Sequence, residues 1–285
     1  MKQRACALAS ALCLSAGLLC GCGRGRSEPL VTVDPYEGMI SVESGYGTKM
    51  WITEWEEVPV NPLTAADFIG GEYHGSADIS VKKGIDVSEH QGRIDWAQVA
   101  ASGIDFAILR AGYRGYGEAG TMRRDVHFQE NITGAMENGV EVGVYFFSQA
   151  TTPQEAEEEA TFLLESLSAY PPDTLDFPVY YDWEDIGVES ARTDGLTGDV
   201  VTDCAIAFCD KLEEAGYTTG VYAYRNLGYF VYDLRELTDR ELWIATIGSY
   251  PDFYYAHRLW QYSAGGTVPG IEGNVDLDYW FDLDY

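Results

Sequence analysis

Asp182 and Glu184 close an apolar run, Pro178-Val179-Tyr180-Tyr181-Asp182-Trp183-Glu184-Asp185. Side chains alternate faces along a strand. Tyr180, Asp182 and Glu184 therefore share one face, and Val179, Tyr181 and Trp183 share the other. Two carboxylates at the carboxyl end of an apolar strand suit proton chemistry, because crowding and partial burial push their pKa values apart. Taken alone, an Asp-x-Glu is more often a polar strand end facing water, so the elements around it have to decide.

Those elements become regular from Lys83 onward. Strands are predicted at 84–87, 106–111, 141–147, 179–182, 220–224, 242–246, 259–262 and 274–277. Helical periodicity falls between most of them, at 95–101, 125–138, 153–167 and 199–215. Asp95 and Thr152 are suited to cap two of these helices, and Pro153 fits a first turn. Eight strands alternating with helices over about 200 residues predict an α/β fold, an irregular parallel (β/α) barrel of the TIM-like type. An open doubly wound sheet is the runner-up, disfavoured because no Gly-rich phosphate loop follows the first strand.

In such a barrel the active site lies at the carboxyl ends of the strands. The first strand end carries Asp86-Val87-Ser88-Glu89-His90-Gln91-Gly92, the second Arg110-Ala111-Gly112-Tyr113, the seventh Trp260-Gln261-Tyr262-Ser263, and the last Asn274-Val275-Asp276-Leu277-Asp278. Asp86, Asp182, Glu184 and Asp276 converging on one rim would repel one another. That cost is commonly tolerated for function. Tyr113, Tyr145, Phe147, Tyr222, Tyr224, Trp260 and Tyr262 are candidates to line sugar subsites, although alternation turns some of them toward the helices. Arg110 either pairs with a site carboxylate or braces the rim. His90 either contacts Asp86 or sugar, or makes a structural hydrogen bond.

Asp86 to Gly92 followed by Ile94-Asp95-Trp96 resembles the opening motif of the glycoside hydrolase family 25 lysozymes (1,4-β-N-acetylmuramidases of the Chalaropsis type). Phe106 to Gly112, the Asp125, Phe128, Asn131 pattern, Gly143 to Phe147, Asp182-Trp183-Glu184, Leu259 to Tyr262 and Val275 to Asp278 follow that family's order, from about residue 83 to 279. The resemblance implies a flattened barrel that cleaves between N-acetylmuramic acid and N-acetylglucosamine in peptidoglycan. By the same resemblance Glu184 is the general acid. Asp182 supports the substrate acetamido group or the developing positive charge, and Asp86 and Asp276 are the other acids of the site. Tyr145, Phe147, Arg110, Tyr222, Trp260, Gln261 and His90 are the expected substrate-binding residues. The pattern departs at Asp278, where the family commonly has Asn. An inverting and a substrate-assisted retaining route both remain open.

The rest of the sequence supplies context. Residues 1–22 read as a lipoprotein signal peptide. Lys2 and Arg4 are followed by an apolar run from Ala5 to Leu19, too short to span a bilayer, and Leu19-Cys20-Gly21-Cys22 resembles a lipobox with Cys22 as the lipidated residue. An uncleaved anchor or an ordinary signal peptidase site are the alternatives. The expected location is the outer face of a bacterial cytoplasmic membrane. Residues 23–82 read as a tether followed by a partly ordered extension, and 83–285 as the catalytic domain, with no wall-binding repeats after it. Cys204 and Cys209, five apart on a helix, are poorly placed for a disulfide and are expected as buried thiols. A net charge of −28 argues against nucleic acid. The scattered histidines show no metal-ligand spacing, so neither metal nor cofactor is expected, and the chain is expected to act as a monomer. The glutamates at 155–159 read as a solvated helix face. A non-catalytic glycan-binding module on the same barrel is the competing function.

Overall fold

A computed structural model describes residues 34–43 and 48–285, of which 38–285 form one compact unit. The signal-peptide, lipobox and Cys22 readings lie outside the described residues. Eight strands build the barrel: β1 (Val81–Val87), β2 (Phe106–Arg114), β3 (Glu141–Ser148), β4 (Val179–Trp183), β5 (Thr219–Tyr224), β6 (Glu241–Ala245), β7 (Leu259–Gly266) and β8 (Val275–Phe281). Neighbours pair in sequence order, and β1 closes the ring by pairing with both β2 and β8. Helices α1 (Trp96–Ala101), α2 (Phe128–Glu137), α3 (Pro153–Ser166), α4 (Gly198–Glu213) and α5 (Arg225–Phe230) fill connections along the chain.

The barrel is mixed, which corrects the all-parallel TIM-like expectation. β1 to β7 run parallel, whereas β8 is antiparallel to both β7 and β1. The cause is chain length. Only residues 267–274 join β7 to β8, and a parallel partner needs a crossover of a dozen or more residues. A hairpin is the connection left.

Alternation divides the side chains into two apolar layers. Outside the strands, Val179, Tyr181 and Trp183 of β4 pack with helix residues such as Ala160, Leu163, Cys204 and Phe208. Cys204 and Cys209 are buried free thiols. Inside the barrel, Phe106, Ile108, Tyr145, Phe177, Tyr180, Tyr222, Trp243 and Leu259 form the plug. Glycine makes room for these rings. A Cβ on Gly84 would lie 2.2 Å from the ring of Phe106, and one on Gly220 would lie 2.4 Å from Tyr180.

The segment before the barrel is seated on its β6–β8 side. The hairpin of Met39–Glu43 and Lys49–Thr53 leads to Trp55, which stacks on Tyr255 at 5.7 Å between centroids. Asn61 donates to the carbonyls of Pro251 and Phe253. Leu63 and Phe68 then cover Trp260 and Phe281.

α3 differs from its reading as a solvated face. Thr152 caps it and Pro153 occupies its first turn, but Glu159 is fully buried against the barrel. Its Oε1 accepts from Arg114 Nε at 2.6 Å, and its Oε2 accepts from the Ser148 hydroxyl, itself paired with the Tyr181 hydroxyl. Burial pushes Glu159 up to about 7, against the pull of Ser148 and Arg114. Removing Glu159 leaves Arg114 Nε and the Ser148 hydroxyl without their acceptor, while Glu158 and the carbonyls of Gly120 and Glu155 still hold the guanidinium. Glu159→Ala is therefore expected to cost about 1–3 kcal/mol in denaturant unfolding, the cost of a buried polar group left unsatisfied. A loss below about 0.5 kcal/mol would mean that the remaining acceptors take over from Glu159.

Candidate active site

The four acids meet through three strands. Asp86 lies near the end of β1, and Asp276 is its direct cross-strand partner near the start of β8, a pairing that sets Cβ atoms roughly 5 Å apart. Asp182 is in register with Phe147 of β3 and Tyr222 of β5. Glu184 follows one residue after β4 ends. Antiparallel closure is what lets the beginning of β8 reach the rim where the other strands finish.

These side chains line a cleft of about 380 Å³, within the range of small-ligand sites. Its walls include Asp86, Ser88, His90, Gln91, Arg110, Tyr145, Phe147, Asp182, Glu184, Tyr222, Trp243, Gln261 and Asp276. Ten of the eleven residues expected in the site from sequence are therefore here. Trp260 is not, and this is a correction. It is fully buried on the outer face of β7, donates its indole N–H to Thr246, and stacks on Tyr279. Its neighbour Gln261 takes the inward position, as the period of two requires. Tyr262 likewise packs outside, against Tyr279.

Polar contacts fix the floor. The Tyr222 hydroxyl donates to Gln261 Oε1 at 3.4 Å, and Gln261 Nε2 donates to Asp86 Oδ2 at 2.7 Å. Arg110 pairs with Asp125 and Glu89, at 2.9 and 3.2 Å, and lies over the Tyr113 ring. It braces the rim and pairs with none of the four acids. The exposed His90 ring makes no hydrogen bond to Asp86 among the described residues; Ser88 Oγ accepts from its backbone N–H.

The electrostatics favour protons on these acids. Burial, then the charge of Glu184, pushes Asp182 well above the usual carboxylate range, with Arg110 opposing. Burial, then Asp276, raises Glu184. Burial, then Asp278 and Asp276, raises Asp86 strongly, and burial raises Asp276. Asp182 Oδ1 is buried without a hydrogen-bond partner. The charge of Glu184 thus bears on the protonation of Asp182.

Three contributors were not singled out as site residues from the sequence. Trp243 faces inward from β6 and spans the plug, meeting Tyr145, Tyr180 and Tyr222 edge-on. Asp278 is fully buried beneath the cleft and accepts from Trp243 Nε1 at 2.9 Å. Gln149 is fully buried after β3. It donates to the backbone carbonyl of Glu184 and accepts from the Thr193 hydroxyl, so it holds the start of the loop that follows β4. Inward alternation could have flagged Trp243. Nothing local in the sequence marks Gln149.

Residues 85–271 match the family model described as Glycosyl hydrolases family 25. The chain belongs to that family. It is 29% identical over 198 residues to the autolytic lysozyme of Clostridium acetobutylicum, covering 69% of this chain and 55% of that protein. It is 27% identical over 210 residues to lysozyme M1 of Streptomyces globisporus, covering 71% and 68%. Among solved structures, the modular autolysin LytC from Streptococcus pneumoniae superposes with a TM-score of 0.62 at 26% identity, over 86% of this chain and 57% of that one. A family 25 glycosyl hydrolase from Bacillus anthracis shares the fold, with a TM-score of 0.58 at 22% identity over 74% and 93%. The chain thus spans a little over half the length of the autolytic lysozyme and of LytC.

The raised acids have a stability consequence within this family 25 barrel. A carboxyl raised in the folded state contributes stability below its unfolded pKa, near 4, and loses it as pH rises through the folded value. Asp182→Asn is therefore expected to match the native protein near pH 4 and to gain about 0.5–2 kcal/mol over it at pH 7–8, the usual return on relieving a strained site. Melting curves across that range check it. A variant less stable at every pH would mean that Arg110 fully compensates the charge.

Proposed function

We propose that this chain is a peptidoglycan hydrolase that cleaves the β-1,4 bond between N-acetylmuramic acid and N-acetylglucosamine. The observation that carries the reading is one cleft floored by Asp86, Asp182 and Asp276 with Glu184, its carboxyl raised by burial and then by Asp276, at its wall. A general acid must hold its proton at working pH. Burial and the neighbouring acids supply that condition for Glu184. Once the proton passes to the glycosidic oxygen, Asp182 and Asp276 place negative charge where an oxocarbenium-like transition state develops positive charge. Tyr145, Phe147 and Tyr222 offer ring surfaces beside the acids, suited to sugar faces. The lysozyme and autolysin names of the relatives, and the LytC structure solved with a synthetic peptidoglycan ligand, support the substrate class.

The protein acts from the membrane surface. The lipobox-like Leu19-Cys20-Gly21-Cys22 supports lipidation at Cys22, and a tether beyond it gives reach into the wall.

Release of reducing ends from purified peptidoglycan, with mass spectrometry of the fragments, tests the reaction. Glu184→Gln is expected to lower kcat by about 10²–10⁴-fold while retaining binding to insoluble peptidoglycan. Activity of the native protein is expected to fall as pH rises, because Glu184 must keep its proton. No product at any pH from a folded protein that still binds would leave a glycan-binding module. Fragments with N-acetylglucosamine at the reducing end would assign the other glycosidic bond.

A further inference from the structure

Glu184 sits one residue past the end of its strand. The last pair joining β4 to β3 is Trp183 with Ser148, and the last pair joining it to β5 is Asp182 with Tyr222. The sheet ladder therefore stops short of the Glu184 backbone. Among the described residues its carboxyl accepts no hydrogen bond and forms no ion pair. Where that carboxyl stands in the cleft thus depends on what holds its backbone. Beyond it the chain makes a largely exposed excursion over residues 185–190, with positive φ at Gly187 and Ser190. It is buried again at Ala191 and Thr193.

Gln149 occupies the matching place on the neighbouring strand, one residue past the end of β3, and is fully buried. Its own backbone N–H donates to Glu159 Oε1 at 3.4 Å, so it adds no backbone rung toward β4. Its side chain supplies one. Nε2 donates to the Glu184 carbonyl at 3.1 Å and to the Ser148 carbonyl at 2.8 Å, and Oε1 accepts from the Thr193 hydroxyl at 3.2 Å. A primary amide brings two donors and an acceptor in one plane, and burial strengthens the bonds they make. The returning end of the excursion has further anchors. The Arg192 N–H donates to the Tyr116 carbonyl, and its guanidinium pairs with Glu155 at 2.5 Å.

We propose that Gln149 is a positioning residue for Glu184: its amide extends the sheet by one side-chain rung, ties the two ends of the 185–190 excursion together, and so fixes where the carboxyl of the general acid stands. The catalytic part rests on the hydrolase reading. One buried group holds the chain at 184, where it leaves the barrel, and at 193, where it returns. Its own footing is firm, because the Ser148 hydroxyl and the Gln149 N–H both donate to Glu159, which Arg114 holds against α3. Without the amide, the Glu184 backbone would be left to the motion of an exposed loop. A general acid has to meet the glycosidic oxygen within hydrogen-bond reach, and a misplacement of about 1 Å can cost about 10²-fold in rate.

Two measurements on the full chain test this, kinetics on solubilised peptidoglycan and amide hydrogen exchange. Gln149→Met keeps an unbranched side chain of similar length and removes the amide. It is expected to lower kcat, per mole of folded protein, by about 10²-fold with KM little altered. Exchange over residues 185–193 should become faster, while β3 and β4 keep the native rate. Thr193→Val removes only the hydroxyl, so a smaller loss of kcat is expected. The double variant should be no worse than Gln149→Met, because two residues of one clamp are not additive. An unchanged kcat, a loss borne by KM, or unchanged exchange over 185–193 would overturn the proposal. If Gln149→Met did not fold, Thr193→Val would decide by the same two readouts. If the native protein released no reducing ends, the hydrolase reading would fall, and exchange in the two single variants would still decide the clamp.

Discussion

The pairing of β8 with β1 is the contact from which the site follows. It closes the barrel, and it sets the start of the last strand against the end of the first. In a parallel closure, residues near the start of β8 would lie at the far rim from Asp86. Because the short link after β7 forces an antiparallel return, Asp276 arrives beside Asp86. Asp278 is carried below it into the plug. A constraint of chain length thereby becomes an electrostatic one: several acids share a small volume with a low dielectric, and protons become the cheapest way to relieve the crowding.

The aromatic plug keeps that volume small and dry. Trp243 meets three tyrosines edge-on and still presents its N–H to Asp278. Gly84 and Gly220 leave the space that the Phe106 and Tyr180 rings occupy. The rings exclude water from beneath the acids, so each carboxyl is desolvated from below and open to a ligand from above. Behind the strands, Arg114 and Glu159 form a separate buried pair that fastens α3 to β2 and β3, and Gln149 links that region to the backbone of Glu184.

Much of this was legible in the chain because strand sequences here are strongly patterned. The run ending at Asp182 and Glu184 shows inward and outward sets by simple alternation, and the structure keeps them. Asp86 and Asp276 were located by their places at the ends of candidate strands together with the family resemblance. What escaped was non-local. The direction of β8 depends on how a short loop must turn. Trp260 and Gln261 are adjacent, and only the register of β7 decides which one faces the cleft. Glu159 looks like its solvated neighbours in α3 until Arg114 from β2 is set against it. Asp278 reads as one more strand acid until the depth of the barrel is known.

The segment over residues 51–82 has a further bearing on how the protein can be divided. It covers Trp260, Phe281 and their aromatic neighbours on the outer face of the strands that also carry Gln261, Asp276 and Asp278. A fragment cut at the start of the sequence resemblance, near Lys83, would lay those rings bare to water. Contiguous exposed apolar surface of that kind is adhesive. The borders of the recognisable family pattern and of the smallest well-behaved folding unit therefore differ, and the second begins upstream of the first.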